Sequence, residues 1–479
     1  MATVSGFDET DIPGRSVDAA RTPERAILRN VKGKPAALIV CEQWETFLQG
    51  GVGGAVSLLA GLFQALGMVI FCTLLKTSPR INQEAKDLDI SLKLPSMDAR
   101  GRYTEPEPNW LPTHQYYYPK LGEIENVKMV VGFGMSTSDA AYRIRQDIFK
   151  DAIFHLVNLW DHDLLSEHSL GYSKDKFNTH CDFFREDSKV ADVITSIGLE
   201  AHHDFSSKHG TDYGDKHFQI QTFPLDRYFK LSPPKLSDNG QVRILSFLEK
   251  CDIKELSNLL VLAKAINGVT ETCINSFDSP PKWRIVGVPE GREEEIEKRL
   301  KPHAKLDIFC IPIQSLEQLE EELQCAHIVL IPPKALNSFN FALTAMAIGV
   351  PVYVPVRSQC HYFLKEYNML DYERDVTVDM NGETKKLQEK IMYAIKKYSV
   401  VSKKSNQIKE LLRTQVKQEV DKTNAEFVKE LSKRFDNSVS KGCIEKRTGT
   451  SSTCSSYLKY NFVVVHNEVF LPFVSVPLL

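Results

Sequence analysis

No charge, residue type or simple repeat dominates this sequence. Among its 479 residues, 59 basic side chains nearly balance 62 acidic ones, which leaves a formal charge of −3. The balance gives no reason to expect nucleic acid or an anionic membrane as a partner. The 10 cysteines stand singly, with no C-x-x-C pair. That pattern argues against a zinc ribbon and favours a reducing, cytoplasmic location.

A secretory signal is not evident either, because residues 1–33 form a polar tail without an apolar run. One uncharged stretch, residues 53–75, does have the length of a membrane span. The alternative is a buried helix over 55–66, a C-terminal cap at Gly67 and a buried strand over 68–75. Gln64 and the internal glycine fit the second interpretation, so we expect no membrane segment.

What the sequence has is an alternation of short apolar strands with helices. The predicted strands are 36–41, 68–75, 129–133, 154–160, 190–197 (a strand or a short helix), 219–223, 243–247, 283–288, 306–311, 327–331 and 352–355. Between the third and fourth strands, residues 139–152 are predicted to be helical. Such alternation predicts α/β structure with parallel sheets covered on both faces. Two such series predict two Rossmann-like domains facing a cleft.

The composition suggests where the domains begin and end. We predict a polar tail (1–33), an N-terminal Rossmann-like domain (34–230), a linker (231–241), a C-terminal Rossmann-like domain (242–382), a charged helical region (383–440) and an irregular tail (441–479). Residues 76–122 and the insertion at 161–188 read as irregular and polar. The linker is identified by its proline, serine and glycine content.

The charged C-terminal region carries an apolar stripe at helical spacing. Ile408, Leu412, Val416 and Val420 recur every four residues. The stripe indicates a helix docked on the body of the protein or a coiled-coil-like extension, and the lack of a sustained heptad favours docking. Residues 401–436 are also the segment through which we would expect a protein partner to bind.

A glycine-rich segment follows the first predicted strand. Gly50, Gly51, Gly53 and Gly54 surround Val52, and a helix is predicted from residue 55. Glycines allow a backbone to approach a phosphate, and the start of a helix directs N–H groups and partial positive charge towards it. The same residues would equally serve a tight turn between strand and helix.

The order of these motifs resembles the GT-B glycosyltransferases, specifically the retaining family-4 type, over residues 35–400. The similar segments are the glycine-rich loop, Asp226 and Phe229 at the domain crossing, Lys254 at the start of a helix, Val286-Gly287 before a charged helix, and the run Leu343, Ala345, Met346, Ala347, Gly349, Pro351 and Val352. That run matches the family's L-E-A-M-A-x-G-x-P-V signature except at its glutamate.

The resemblance implies a nucleotide-sugar substrate in the interdomain cleft, with no cofactor and no metal ion. It places the donor phosphates against Gly50, Gly51, Gly53, Gly54, Lys254, Arg357 and Ser358, and the sugar and ribose against Ser338, Asn340 and Thr344. The alternatives are an exposed first-turn lysine, a surface-loop arginine, and simple helix caps at Ser338 or Asn340.

The chemistry of the family is incompletely matched. Its two carboxylates spaced as E-x7-E would fall at Leu336 and Thr344, and its arginine would fall near Glu249, beside Lys250. Its H-x-H reads Gly132-Phe133-Gly134, and its Gly-Gly turn reads Arg357-Ser358-Gln359. The sequence thus leaves two functions open. One is a retaining hexosyltransferase without an assigned catalytic base, and the other is a non-catalytic GT-B module, a pseudoenzyme that recognises a ligand or a protein.

Two further groups have metal-ligand chemistry without a metal-site spacing. Asp161-His162-Asp163 is a D-x-D, but it opens a polar insertion rather than following a nucleotide-binding strand. His202, His203, Asp204 and His209 form a histidine-rich patch that matches no zinc motif. We therefore expect no metal ion at the D-x-D, and we expect the histidine-rich patch to be a solvated loop.

Overall fold

A computed structural model describes most of the chain. The described residues are 33–42, 44, 51–96, 118, 120–159, 182, 184–209, 213–236, 241–248, 253–273, 281–304, 306–312, 315–333, 339–380 and 384–445. Asp161-His162-Asp163, most of the insertion at 161–188, and all of the tail beyond residue 445 lie outside this part.

Seven parallel strands form the first sheet. They are β1 (Ala36–Val40), β2 (Val69–Thr73), β3 (Ile90–Lys93), β4 (Val127–Phe133), β5 (Ile153–Asn158), β6 (Val193–Ile197) and β7 (His217–Ile220). Their spatial order is β3-β2-β1-β4-β5-β6-β7. The helices of this half are α1 (Gly51–Ala65), α2 (Pro79–Asp87), α3 (Gly134–Asp147) and α4 (Leu199–His209). Buried apolar side chains cover both faces of the sheet.

The second sheet repeats this design with six parallel strands. They are β8 (Arg243–Phe247), β9 (Lys282–Val286), β10 (Asp307–Ile311), β11 (Ile328–Leu330), β12 (Val352–Pro355) and β13 (Thr377–Val378), in the order β10-β9-β8-β11-β12-β13. Its helices are α5 (Ile253–Cys273), α6 (Glu293–Leu300), α7 (Leu316–Cys325), α8 (Phe339–Ile348), α9 (Gln359–Glu366) and α10 (Leu370–Val376). Both sheets reverse their strand order beside the first strand, as doubly wound folds do. The predicted architecture of two Rossmann-like halves is confirmed.

The C-terminal region packs against both halves. It comprises α11 (Thr384–Lys396), α12 (Tyr398–Leu411), a π-helical turn (Leu412–Val416) and α13 (Lys417–Glu445). Ile408, Leu412, Val416 and Val420 are buried in the core of the second half. Further along, Phe427 and Leu431 of α13 are buried in the core of the first half. The apolar stripe is therefore covered by the protein's own body, as the docked-helix interpretation predicts.

The uncharged stretch 53–75 is divided between a helix and a strand. Helix α1 ends at Ala65, Gly67 has a φ of +73°, and β2 begins at Val69. A left-handed residue after the last helical turn is the role in which glycine is favoured, because it carries no Cβ. No helix in the part of the chain that the structure describes combines the length and the apolar character needed to cross a bilayer.

Two predicted boundaries are wrong near the first sheet. Helix α1 begins at Gly51 rather than at residue 55, so Gly51, Gly53 and Gly54 are helical instead of forming a loop. Gly53 and Gly54 are buried, and close packing of the helix on the sheet outweighs their low helix propensity. Helix α3 begins at Gly134 instead of residue 139, and the Thr137 hydroxyl accepts the Phe133 N–H at 2.9 Å.

The prediction of irregular structure over 76–122 is also wrong in its first part. Helix α2 and strand β3 both fall within it. The Ser78 side chain accepts the Ile81 N–H at 3.2 Å, and Pro79 occupies the first turn. Serine before proline is a helix-start signal, since the first turn has N–H groups that need no intrahelical partner.

Candidate functional site

A cleft lies between the two halves, on the side where the strands of the first sheet end. About 610 Å³ of space, part of it open to solvent, lies between its walls. Leu159 follows β5, Ile197 ends β6, and Gln221 and Thr222 follow β7, and all four side chains line the cleft. Doubly wound sheets bind ligands beyond the carboxyl ends of their strands. The cleft is therefore the candidate functional site.

The opposite wall comes from two helices of the second half. Helix α8 contributes Phe339 and Asn340 at its start, and α9 contributes Gln359, Tyr362, Phe363 and Glu366. The Phe339 and Phe363 rings meet edge to face, with centroids 5.4 Å apart. This wall is accordingly aromatic, with polar atoms at its margins, a common composition for a small-molecule site.

Hydrogen bonds join the two walls. The Thr222 hydroxyl donates to Asn340 Oδ1 at 3.0 Å, and Gln219 Nε2 donates to Glu366 Oε1 at 2.6 Å. Asn424 of α13 bonds both backbone groups of Gln221, each at 3.0 Å. The segment after β7 is thus held by α8, α9 and α13 together, which fixes the geometry of the cleft.

The glycine-rich segment reaches the cleft through the start of α1. Gly51, Gly53 and Gly54 lie in the first turn of that helix, and Ala55 lines the cleft. The first-turn N–H groups of a helix have no intrahelical partner and carry partial positive charge. An anion contact by these residues remains a prediction, and Gly50 lies outside the described residues.

The two predicted cations, Lys254 and Arg357, both follow the carboxyl ends of strands of the second sheet. Neither is among the described residues that line the cleft. Lys254 is in the first turn of α5, after β8, and its side chain lies outside the described part. Arg357 follows β12 with a φ of +66°, and its N–H donates to His361 Nδ1 at 2.9 Å. Ser358 caps α9, since its hydroxyl oxygen accepts the His361 N–H at 3.3 Å.

The predicted sugar contacts separate in space. Asn340 lines the cleft, whereas Thr344, one turn later on α8, is 1% exposed and faces the core. The Thr344 hydroxyl is buried without a hydrogen-bond partner. Ser338 and Leu336 lie outside the described residues. The structure therefore brings one of the three predicted contacts to the cleft lining.

Of the two glycines in place of the family's H-x-H, Gly132 is required by packing. A Cβ added at Gly132 would lie 2.8 Å from Ala141 Cβ and 2.8 Å from Ser138 Cα. Contacts this short are repulsive, so the close approach of α3 to β4 excludes any side chain at this position. A histidine cannot be placed there without moving the helix.

The histidine-rich patch forms a packed cluster. His202, His203, Asp204 and His209 lie on α4, not in the solvated loop predicted for them. The His202 and His217 rings stack at 4.1 Å, and Asp204 pairs with Lys208 at 2.7 Å. Burial lowers the pKa of His217 to about 3. Among the described residues no three or more His, Cys, Asp or Glu side chains converge as metal ligands would.

Sequence reasoning missed several cleft residues. Gln221 and Thr222 were not identified as cleft residues because the predicted strand extended to residue 223, whereas β7 ends at Ile220. A strand ended at 220 would have placed both at a carboxyl end, where ligands bind. Tyr362 and Glu366 lie on α9, a helix that was not predicted, although Ser358 was available as the signal of its N-terminal cap.

The family model described as GT4-conflict, Family 4 Glycosyltransferase in conflict systems, matches residues 38–426. No curated protein matches the chain.

Solved structures share its fold. Sucrose-phosphate synthase from Thermosynechococcus elongatus aligns with a TM-score of 0.62 and 12% identity, covering 84% of this chain and 100% of that one. WaaG, a glycosyltransferase involved in lipopolysaccharide biosynthesis, aligns with a TM-score of 0.56 and 12% identity. The alignment covers 82% of this chain and 98% of WaaG. A third structure is a Staphylococcus aureus TarM variant in complex with fondaparinux, alpha-GlcNAc-glycerol and UDP. It aligns with a TM-score of 0.57 and 9% identity, covering 82% of this chain and 99% of that one. At these identities the likeness shows the GT-B fold.

Proposed function

Because the chain belongs to the family 4 glycosyltransferases of conflict systems, we propose that it binds a nucleotide-sugar in the cleft and transfers a hexose from it with retention. One observation carries the proposal: the cleft lies at the carboxyl ends of the first sheet and is closed by α8 and α9 of the second. Uridine diphosphate is the first nucleotide to test, since it is present in the TarM complex.

The proposed chemistry depends on stabilising the diphosphate that leaves. Charge develops on it as the bond to the sugar breaks, so preorganised positive groups there lower the barrier most. The first turn of α1 supplies N–H groups, and Lys254 and Arg357 supply full charges from the second half. Asn340 would bond a sugar hydroxyl from the cleft wall. The proposal requires no metal ion and assigns no catalytic base.

The alternative is a GT-B module that recognises a ligand without catalysis. It is favoured by Leu336 and Thr344 at the positions of the family's two carboxylates, because neither side chain can form the charge-assisted hydrogen bonds of an acid. Binding and turnover must therefore be measured separately.

Thermal unfolding in the presence of nucleoside diphosphates and their sugar conjugates tests the donor site. A ligand at a hundred times its dissociation constant stabilises the folded protein by roughly 2.7 kcal/mol. The proposal expects this stabilisation with one conjugate, and its loss in Lys254→Ala. Lys264→Ala is the matched control, because Lys264 is an exposed lysine on the same helix.

Release of the nucleoside diphosphate from the stabilising conjugate, with water accepting the hexose, then distinguishes the two functions. Turnover that falls in Lys254→Ala and not in Lys264→Ala supports a transferase. Binding without turnover supports the recognition module. If no conjugate stabilises the wild-type protein, both forms of the proposal are wrong.

A further inference from the structure

The charged side chains of the cleft lie on α4 and α9, away from the start of α1, to which we assign the donor phosphates. Of the described residues that line the cleft, Glu200 and Glu366 carry a charge, and both are acidic. Glu200 is in the first turn of α4 and Glu366 ends α9, so the carboxylates belong to opposite walls. A ligand beside α9 meets the negative charge of Glu366.

No described cation compensates Glu366. Its hydrogen-bond donor is the neutral amide of Gln219, and no ion pair to Glu366 forms among the described residues. Burial raises the pKa of Glu366, and the nearby charge of Glu419 on α13 raises it further. The surroundings of Glu366 therefore disfavour its ionised form, and a cationic ligand bound beside it would stabilise that form.

Gln221 adds an independent observation on the first wall. The residue is 1% exposed and lines the cleft, and its Oε1 is buried without a hydrogen-bond partner. Its Nε2 donates to the Thr222 carbonyl at 3.3 Å, which fixes Oε1 as the free end of the amide. Oε1 lies 3.6 Å from the position of a Cβ on Gly198, another lining residue. An oxygen of this kind is satisfied only by a hydrogen-bond donor.

Aromatic rings complete the same space. Phe339, Tyr362 and Phe363 line the wall that carries Glu366. Aromatic faces attract cations, and a planar guanidinium also stacks on them, whereas they offer nothing to a phosphate.

From these contacts we propose that the cleft recognises an organic cation, an amine or guanidinium group on the acceptor molecule, held by the Glu366 carboxylate and hydrogen-bonded to Gln221 Oε1. The inference rests on the proposed function, because it assigns the acceptor class of the same cleft. The protonated nitrogen is the recognised group and takes no part in bond making. Anionic acceptors such as phosphate esters are disfavoured by the Glu366 carboxylate.

Calorimetric titration of the full chain with small probes tests this site directly. The probes are n-butylguanidinium, n-butylammonium, the neutral analogue n-butylurea, and inorganic phosphate, all at one ionic strength. We expect the cations to bind and the urea and phosphate not to bind. Binding of one cation and not the other assigns guanidinium or amine, and both results support the proposal.

Two variants locate the binding. Glu366→Gln removes the charge while retaining an oxygen for Gln219, and we expect it to weaken cation binding about tenfold, as loss of a charge-assisted hydrogen bond does. Gln221→Leu removes the free acceptor and should weaken binding as well. Glu294→Gln is the control, because Glu294 is exposed on α6, which contributes nothing to the cleft.

The proposal is overturned if the urea binds as tightly as the cations, if no cation binds, or if both cleft variants bind cations like the wild type. These outcomes differ from failure of the donor site, which is tested separately by the thermal stabilisation that nucleotides give the wild type and Lys254→Ala. Cation binding without nucleotide binding would leave the cation site standing and remove the transferase. Nucleotide binding without cation binding would leave the transferase proposal standing and remove the cation site.

Discussion

The Thr222 hydroxyl donates a hydrogen bond of 3.0 Å to Asn340 Oδ1, and this buried contact joins the two halves of the chain where both residues line the cleft. Thr222 follows β7 of the first sheet, and Asn340 begins α8 of the second. The contact occupies Oδ1 of Asn340, the side chain to which we assign a sugar hydroxyl. Stability and ligand binding are therefore linked at this position.

Replacing Thr222 with valine should destabilise the protein by about 1 kcal/mol, because the hydroxyl is lost and the buried Asn340 oxygen loses a donor. Urea unfolding of the wild type, Thr222→Val, Asn340→Ala and the double variant measures the coupling between the two side chains. We expect a coupling energy of about 0.5 kcal/mol or more, as contacting residues show. Additive effects would mean that the hydrogen bond contributes nothing in solution.

Lys409 should be one of the most sensitive positions on α12. Its buried ammonium donates to the Leu231 carbonyl at 2.5 Å and to the Ile348 carbonyl, at the end of α8, at 3.4 Å. Lys409→Met keeps most of the side-chain volume and leaves both carbonyls without this donor. We expect a loss of about 1–3 kcal/mol in the free energy of unfolding. Lys403→Met, at an exposed position of the same helix, should change it little. Equal effects of the two variants would contradict the assigned contacts.

Acid should destabilise the fold through its buried histidines. Burial lowers the pKa of His155 from 6.5 to about 3, and that of His327 to about 4. The unfolded chain then binds protons more readily than the folded one, so the stabilising contribution is complete above about pH 6.5 and is lost as the pH falls. For His155, which is fully buried, the loss approaches about 1.4 kcal/mol per pH unit.

Urea unfolding at pH 7, 6 and 5 measures this dependence. His155→Gln should reduce the slope of the unfolding free energy against pH by up to about the contribution of one bound proton. His203→Gln, at an exposed histidine on α4, is the control and should leave the slope as in the wild type. A slope in His155→Gln that equals the wild type would show that His155 binds protons equally in the folded and unfolded states.

Two glycine-to-alanine changes should have opposite signs. At Gly132 a Cβ would meet Ala141 Cβ and Ser138 Cα at 2.8 Å, so Gly132→Ala should cost about 1–3 kcal/mol by overpacking. At Gly61, within α1, a Cβ would meet nothing within 4 Å. Gly61→Ala should therefore stabilise by about 0.5–1 kcal/mol, since alanine loses less conformational freedom in a helix. The same direction for both changes, measured by thermal unfolding, would contradict the packing of α3 on β4.

The sequence alone determined the two Rossmann-like halves and the docked C-terminal helix. Those features are set by local periodicity, as at Ile408, Leu412, Val416 and Val420, whose spacing requires one buried helical face. The family resemblance, carried by segments such as 343–352, likewise follows from residue identity, and the family model agrees with it.

Only the tertiary structure decided which residues meet in the cleft. Gln221, Asn340 and Glu366 are distant in sequence, and their approach depends on how one sheet is placed against the other. The helical start at Gly51 and the core position of Thr344 also depend on packing, which overrides local propensity. Periodicity reports whether a face is buried, whereas the partner that buries it is fixed by contacts between residues far apart in the chain.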